Sequence, residues 1–310
     1  MNAVLFVGDI NVDVIMGGLA SLPVVDREIT CESFDVTMGS TAVLAACAYA
    51  ALGGRSAFLG LAGRDEYGEF MVRGLEARGV DTRLVRRTDR VRTGVTVNLV
   101  YGSTRTQVTY PGTIAEFEGR DVDAAALAGA RHVHFAGPYQ QTKFRPEIAR
   151  LLDLAAGLGI SASLDPQWDA TERWEHMDEW LPRLAYLFVN DSEAVSITRA
   201  SSPEAACLEL GRRTRLAVVK TGPAGAMVAV DGALRRVPGY PVTVVDTTGA
   251  GDNFDAGFLY ATLERGDGPV RACAFANAVA GLSCEVVGGT TARSTCDRVL
   301  TFMEEHGERI

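Results

Sequence analysis

Short, unbroken apolar runs alternate along this chain with segments in which apolar positions recur every three to four residues. Ala3 to Val7, Arg55 to Ala62, His132 to Phe135, Ser161 to Leu164, Ala185 to Val189 and Ala217 to Thr221 are of the first kind and predict strands. Ala42 to Leu52, Tyr67 to Arg78, Pro146 to Leu158 and Ser192 to Arg199 are of the second and predict helices. This rhythm predicts an α/β fold, a mostly parallel sheet covered by helices on both faces. No long Pro, Gly or Ser linker and no internal repeat interrupts it, so residues 1–310 are expected to form one domain.

Two segments break the rhythm. Arg27 to Val36 and Thr93 to Tyr110 read as antiparallel strands without intervening helices, the second folding into a hairpin at Tyr101-Gly102-Ser103-Thr104. In that hairpin Val95, Val97 and Leu99 share one face and Thr96 and Asn98 the other. The pattern fits a two-faced lid over a polar ligand, and it also fits an ordinary edge hairpin.

The densest chemistry lies in residues 246–259, Asp-Thr-Thr-Gly-Ala-Gly-Asp-Asn-Phe-Asp-Ala-Gly-Phe-Leu. Pro241 to Val245 before it is a short extended run, and Phe254, Phe258 and Leu259 after it have helical spacing, so the turn opens a helix. The amides of Ala250, Gly251 and Asp252 are expected to point out of the helix N-terminus, where an anion is favoured. Gly249 and Gly251 leave room for it. Asp252 is placed to take a proton from a hydroxyl that attacks the bound anion, which implies phosphoryl transfer to an alcohol. The plain alternative is a turn with Asp252 as N-cap. A dinucleotide fingerprint is excluded because Phe254 stands where the third glycine belongs, and a P-loop is excluded because the chain has no Gly-Lys pair.

The whole stretch, with Ala256-Gly257 after Asp252, resembles the C-terminal signature of the PfkB/ribokinase family of sugar and nucleoside kinases, and the resemblance runs from Gly8 to about Thr291. It implies a ribokinase-like fold with a small β-sheet lid at about residues 13–38 and 93–113, ATP and Mg²⁺ as cofactors, and a homodimer formed through the lid. It makes Asp252 the catalytic base and Gly249, Ala250 and Gly251 the anion hole. Gly8-Asp9-Ile10-Asn11-Val12-Asp13, read as a loop after the first strand, is assigned to the acceptor through Asp13. Gly39, Ser40 and Thr41, which open the helix Ala42 to Leu52, would hold the same ligand together with Asn98 of the lid. Here the chain departs from the family, because Ser40 replaces a usual glycine and Leu44 stands where a sugar-binding Asn is common.

On the nucleotide side, Asn190-Asp191-Ser192-Glu193 resembles the family's Asn-x-x-Glu element, with Glu193 reaching Mg²⁺ through water. The same spacing also makes a capping box. Thr221 and Gly222 match the family's nucleotide loop, with Lys220 beside them. Ala276-Asn277-Ala278 and Val287-Gly288-Gly289-Thr290 would border the adenine. Asp246 and Thr248 occupy positions that in similar kinases belong to a K⁺ site, and the alternative is that Asp246 only caps the turn.

Composition narrows the partners. A net charge of −9 without a basic cluster argues against nucleic acid or an anionic membrane, and 47% apolar content supports a large core. The six cysteines form no Cys-x-x-Cys pair and read as reduced thiols. His132 and His134 alternate in a strand with no third ligand nearby, which argues against a metal site. With no signal peptide and no apolar run of about twenty residues, a cytoplasmic location is expected. The sequence therefore points to an ATP-dependent kinase of a small sugar or polyol, with a free monosaccharide as the expected acceptor. A nucleoside kinase needs stacking aromatics, for which Phe34, Tyr101, Tyr110 and Tyr139 are the candidates. A sugar-binding protein without catalysis is the third reading, opposed by the intact Asp252.

Overall fold

The computed structural model describes residues 3–102, 104–286, 288 and 294–307. Strand β1 (Ala3–Val7) is apolar and buried throughout, as a strand covered on both faces must be. The chain then leaves the main sheet for β2 (Asn11–Leu19) and β3 (Ser33–Met38) and returns through the helix Thr41–Ala51. Strands β4 (Ser56–Leu59) and β5 (Leu61–Gly63) come next, followed by the helix Glu66–Glu76 and β6 (Arg86–Thr88). The hairpin is β7 (Gly94–Tyr101) and β8 (Thr104–Tyr110). Strands β9 (Ala130–Ala136), β10 (Ser161–Asp165), β11 (Tyr186–Asn190) and β12 (Ala217–Lys220) continue the main sheet, with the helices Ile148–Gly157, Asp191–Thr198 and Pro203–Arg213 between them. Finally β13 (Ala226–Val230) and β14 (Ala233–Val237) precede the helices Ala250–Leu263, Pro269–Ser283 and Cys296–Glu305.

The eight-stranded sheet runs β14-β13-β12-β11-β10-β9-β1-β4. From β12 to β4 all pairs are parallel, and β13 and β14 add antiparallel strands at one edge. One core packs Val4, Phe6, Phe188 and Val218 against the helices Thr41–Ala51, Ala250–Leu263 and Pro269–Ser283. The other packs Leu5, Val7, Phe135 and Val219 against the helices Ile148–Gly157 and Pro203–Arg213. Adjacent residues of β1 thus serve opposite cores, which accounts for the lack of polar alternation in these strands. Strand order reverses direction between β1 and β9, and crevices form at the carboxyl ends of strands at such a point.

A separate four-stranded sheet has the order β3-β2-β7-β8. Four expectations are corrected here, two of them by this sheet. Asp13 lies on a strand rather than in a loop, because β2 is held on one side by β3 and on the other by β7. The strand expected at Arg27 to Val36 begins only at Ser33. Arg55 to Ala62 is not one strand: it breaks at Gly60, and β5 pairs with β6 instead of joining the main sheet. Pro241 to Val245 joins no sheet, and the amide of Val245 donates to Cys284 O instead. The hairpin forms as expected, with Thr96 and Asn98 buried on the inner face. All six cysteines are free thiols, and no described helix is long and apolar enough to cross a membrane.

Candidate active site

Polar residues collect where the parallel strands end. Asp9 follows β1, Asp165 closes β10, Asn190 closes β11 and Lys220 closes β12. The helix Ala250–Leu263 begins over this edge, and a Cβ added at Gly251 would lie 3.3 Å from Lys220 Nζ. Lys220 donates to Asp165 at 2.8 Å and to Asp255 at 3.1 Å, so its ammonium is committed to two buried carboxylates. The family resemblance made Lys220 a candidate ATP contact, and its ammonium is bonded within the protein. Burial alone would push the Lys220 ammonium toward the neutral form, but Asp165 and Asp255 hold it protonated far above its ordinary range. Burial likewise opposes ionisation of Asp165, and Lys220 together with a hydrogen bond from Asp255 overcomes it. Asp255 is pushed well up by burial, more than Lys220 offsets.

Asp252 shares this interior without a cation of its own. Its pKa is pushed up to about 8, chiefly by burial and then by the charge of Asp165, while Lys220 pulls the other way. Asp9 raises it further, and a hydrogen bond from Thr41 opposes the rise. Four acidic side chains, Asp165, Asp255, Glu193 and Asp252, therefore gather around one lysine.

The turn before the helix is built on Gly249, which caps it in the left-handed region at φ 73. Glycine suits that conformation. Asp252 is thus the third residue of the helix rather than its N-cap. The amide of Ala250 closes a turn onto Thr247 O at 3.2 Å, so it is not available to an anion as the sequence suggested. The amides of Gly251 and Asp252 have no partner among the described residues. Helix N-termini leave such donors free, and they attract negative charge. Asp246 anchors the turn. Its Oδ1 accepts from Thr248 N at 2.9 Å and Thr248 Oγ1 at 2.7 Å, and its Oδ2 accepts from Gly288 N at 2.9 Å. Burial disfavours its charge, but these donors hold it below its ordinary range. This is the turn-capping geometry that the sequence offered as the alternative to a cation site.

The acceptor side joins the small sheet to the helix Thr41–Ala51. Asn11 Nδ2 donates to Asp13 Oδ1 at 3.1 Å and to Thr96 Oγ1 at 3.2 Å, and Asn98 also hydrogen-bonds Asp13. Burial raises the Asp13 carboxyl above its ordinary value against these bonds. A Cβ at Gly39 would stand 2.8 Å from Asp13 Oδ1, so glycine there lets the backbone approach that carboxylate. Ser40, in place of the family's glycine, adopts φ 75. A non-glycine residue in a sparse region costs about 1–3 kcal/mol. Two bonds offset it, since Ser40 Oγ lies 2.8 Å from Asp9 O and 3.1 Å from Asp9 Oδ1. Asp9 and Ser40 thus brace each other, and Thr41 touches the proposed base.

On the nucleotide side Asn190 and Glu193 do form a capping box. Asn190 Oδ1 accepts from Glu193 N at 2.8 Å, and Glu193 Oε2 accepts from Asn190 N at 2.8 Å. Glu193 is also buried, which with the charge of Asp165 pushes its carboxyl up to about 7. Thr221 and Gly222 open a tight turn between β12 and β13 at the same end of the sheet. Asn277 spends its amide on Val237 O and Pro238 O, tying its helix to the end of β14. Gly288 is the partner of Asp246, while Val287, Gly289 and Thr290 lie outside the described residues. His132 and His134 are buried and bonded to Ser161 and Ser163. Burial lowers their pKa values to about 3 and 4, so they are neutral core groups. Among the described residues no three His, Cys, Asp or Glu side chains are grouped to hold a metal ion.

Asp9, Asp165 and Asp255 were not singled out from the sequence. Each had a signal: the first two are acids at predicted strand ends, and Asp255 lies three residues after Asp252 on one helix face.

The family model of pfkB carbohydrate kinases matches residues 1–296. The chain belongs to the PfkB family. Curated relatives in this family are named as sugar or sugar-phosphate kinases, and this PfkB protein is a phosphotransferase. It is 32% identical over 307 residues to the ATP-dependent ribose-1-phosphate kinase of Halopiger xanaduensis, covering 98% of this chain and 99% of that protein. The fold is that of Arabidopsis thaliana ribokinase complexed with ribose and ATP, at TM-score 0.84 and 22% identity over 98% of this chain and 99% of that one. It is equally that of the nucleoside kinase of Methanocaldococcus jannaschii, at TM-score 0.84 and 21% identity over 99% of both chains.

Proposed function

We propose that the protein transfers the γ-phosphate of ATP to a hydroxyl of a small sugar or polyol, with Asp252 as the base. The observation that carries this reading is the buried Asp252 carboxylate beside the free amides of Gly251 and Asp252, on the first turn of one helix. Burial gives that carboxylate a high affinity for the proton that the acceptor hydroxyl loses as its bond to phosphorus forms. The two amides and the helix dipole meet the charge on the transferring group, and Gly249 sets their direction. Asp13, Asn98, Gly39, Ser40 and Thr41 are assigned to the acceptor, and Thr221, Gly222, Asn190 and Asn277 to the borders of the nucleotide. Glu193 would reach Mg²⁺ through water, and the ion would neutralise phosphate charge when bound.

The aromatic residues favour a sugar over a nucleoside. Phe34 and Tyr110 are exposed, and strand alternation puts them and Tyr101 on the outer face of the small sheet, away from Thr96 and Asn98. Tyr139 is buried against Trp174 and Trp180. None of the four is placed to stack a base over Asp13. A coupled ADP-release screen over sugars, polyols, sugar phosphates and nucleosides tests the reading, with ribose 1-phosphate included because the Halopiger relative is named for it. Turnover restricted to nucleosides would overturn it.

The same outer face carries exposed Phe34 and Val108, each 61% accessible, beside half-buried Val36, Val97 and Leu99. A continuous apolar face of this kind marks an interaction surface. We assign it to pairing of two copies of the chain through the lid.

A further inference from the structure

We infer that a cleft at the root of the lid, outside the reaction site, binds a small multivalent phosphate anion, and that this anion tightens the acceptor pocket. Five of the ten residues 83–92 are arginines, in a chain of net charge −9. The run corrects the expectation of a chain without a basic cluster. Arg83 is paired with Asp81 and Arg87 with Glu69. The guanidiniums of Arg90 and Arg92 make no hydrogen bond and no ion pair among the described residues. Both line an open cleft of about 370 Å³, together with Arg64, Asp65, Thr88 and Asp89.

The two acids of the cleft do not neutralise its three arginines. Asp65 is committed to the protein: its Oδ1 accepts from Gly68 N and Thr93 Oγ1, and its Oδ2 from Thr93 N, each at 2.8 Å. Asp89 meets Arg64 at 3.3 Å, with the two side chains 80% and 59% exposed. Ion pairs this exposed contribute little, so an incoming phosphate displaces Asp89 easily. Each guanidinium fork matches two phosphate oxygens. Two open arginines and a third held loosely suit a compact anion, whereas a nucleic acid needs a longer track of cations.

The cleft joins the acceptor side through the backbone of Arg92 and Thr93. Arg92 O accepts from Thr113 N at 3.0 Å, and Gly94 N donates to Thr113 Oγ1 at 3.2 Å, so the two ends of the β7–β8 hairpin close on each other there. Gly112 permits that closure, since a Cβ on it would lie 2.3 Å from Arg92 O. Gly94 pairs with Asn11 and Thr96 with Asp13, and Asn11 bonds both Asp13 and Thr96. An anion that clamps the Arg90 and Arg92 side chains therefore holds the root from which the inner face of the lid reaches the acceptor. Ordering that root beforehand lowers the cost of binding the acceptor. The coupling rests on the acceptor site assigned above; the binding does not.

The test titrates inorganic phosphate, pyrophosphate and AMP into the full chain by calorimetry, with the nucleotide site filled by a non-hydrolysable ATP analogue. It compares the wild type with Arg90→Gln/Arg92→Gln and with Arg236→Gln, a control whose ion pair with Glu204 lies at the β14 edge. The expected result is one site on the wild type, weakened about tenfold or more in the double variant and unchanged in the control. Tightest binding of AMP would make the source a nucleotide monophosphate, and tightest binding of phosphate or pyrophosphate a free anion; either upholds the site. In the ADP-release assay at saturating ATP, the anion should lower KM for the best acceptor by about fivefold, in the wild type but not in the double variant. No site on the wild type, or equal affinity in the double variant, would overturn the inference. A bound anion with an unmoved KM would overturn its coupling to the acceptor pocket. Because the calorimetry needs no turnover, an acceptor screen without an active sugar would overturn the sugar-kinase reading and not this site.

Discussion

Lys220 at the end of β12 donates to Asp165 at the end of β10 across 2.8 Å, in an interior that also holds Asp252. The lysine is the cation nearest to balancing the carboxylates of the site, and it lowers the proton affinity of Asp252. Its replacement by methionine should therefore move the rising limb of the kcat/KM profile to higher pH than in the wild type. Breaking a buried pair also costs about 3–5 kcal/mol, which a urea titration reads as an earlier midpoint. An unmoved limb would separate Lys220 from the base.

Asp13 is held between Asn11 and Asn98 on the inner face of the lid. Removing a charged acceptor from a ligand hydroxyl costs about 1–3 kcal/mol or more. Asp13→Ala should lower kcat/KM for the sugar acceptor by about tenfold or more, with KM for ATP nearly unchanged. A change confined to the ATP parameter would remove Asp13 from the acceptor site.

Asp246 accepts three hydrogen bonds from Thr248 and Gly288. Since the chain's own donors already anchor the turn, Asp246→Ala should reduce kcat by about 10²-fold in sodium and potassium buffers alike, the order that misplacing an anion hole can cost. A wild-type rate that requires potassium, with that requirement lost in Asp246→Ala, would instead make this the K⁺ site implied by the family resemblance.

The outer face of the lid supplies a prediction about assembly. Val108→Glu places a charge on the exposed apolar face, at its β8 edge, and should convert a dimer to a monomer in sedimentation. A wild-type protein that is monomeric at all concentrations would contradict the pairing.

The parallel strands were legible because burial on both faces leaves an unbroken apolar run, as in Ala3–Val7. Strand β2 was not, since Gly8 to Asp13 read as loop, and only pairing with β3 and β7 makes residues from Asn11 on a strand. The turn at Gly249 was legible because glycine spacing and the following apolar helix are local signals. The Lys220 cluster was not, because its partners lie 55 and 35 positions away and meet only when the strand ends align. Burial of Thr96 and Asn98 against Asp13 settles the inner face, a choice that alternation alone leaves open.

Burial of Asp252 has a cost as well as a use. Its folded pKa of about 8 exceeds the ordinary 3.8, so the native state binds the extra proton and its stability falls as pH rises between those values. Asp252→Asn removes that penalty and should be the more stable protein, by on the order of 1–3 kcal/mol at pH 8–9 and by less near pH 5. A melting-temperature difference that shrinks as pH rises would contradict the sign.

The most direct measurement is the turnover of Asp252→Asn in the ADP-release assay with the best acceptor, beside a binding measurement for ATP. The account predicts a kcat lower by about 10² to 10⁴, with ATP still bound and the fold intact. Turnover within about threefold of the wild type would contradict the assignment of Asp252 as the base.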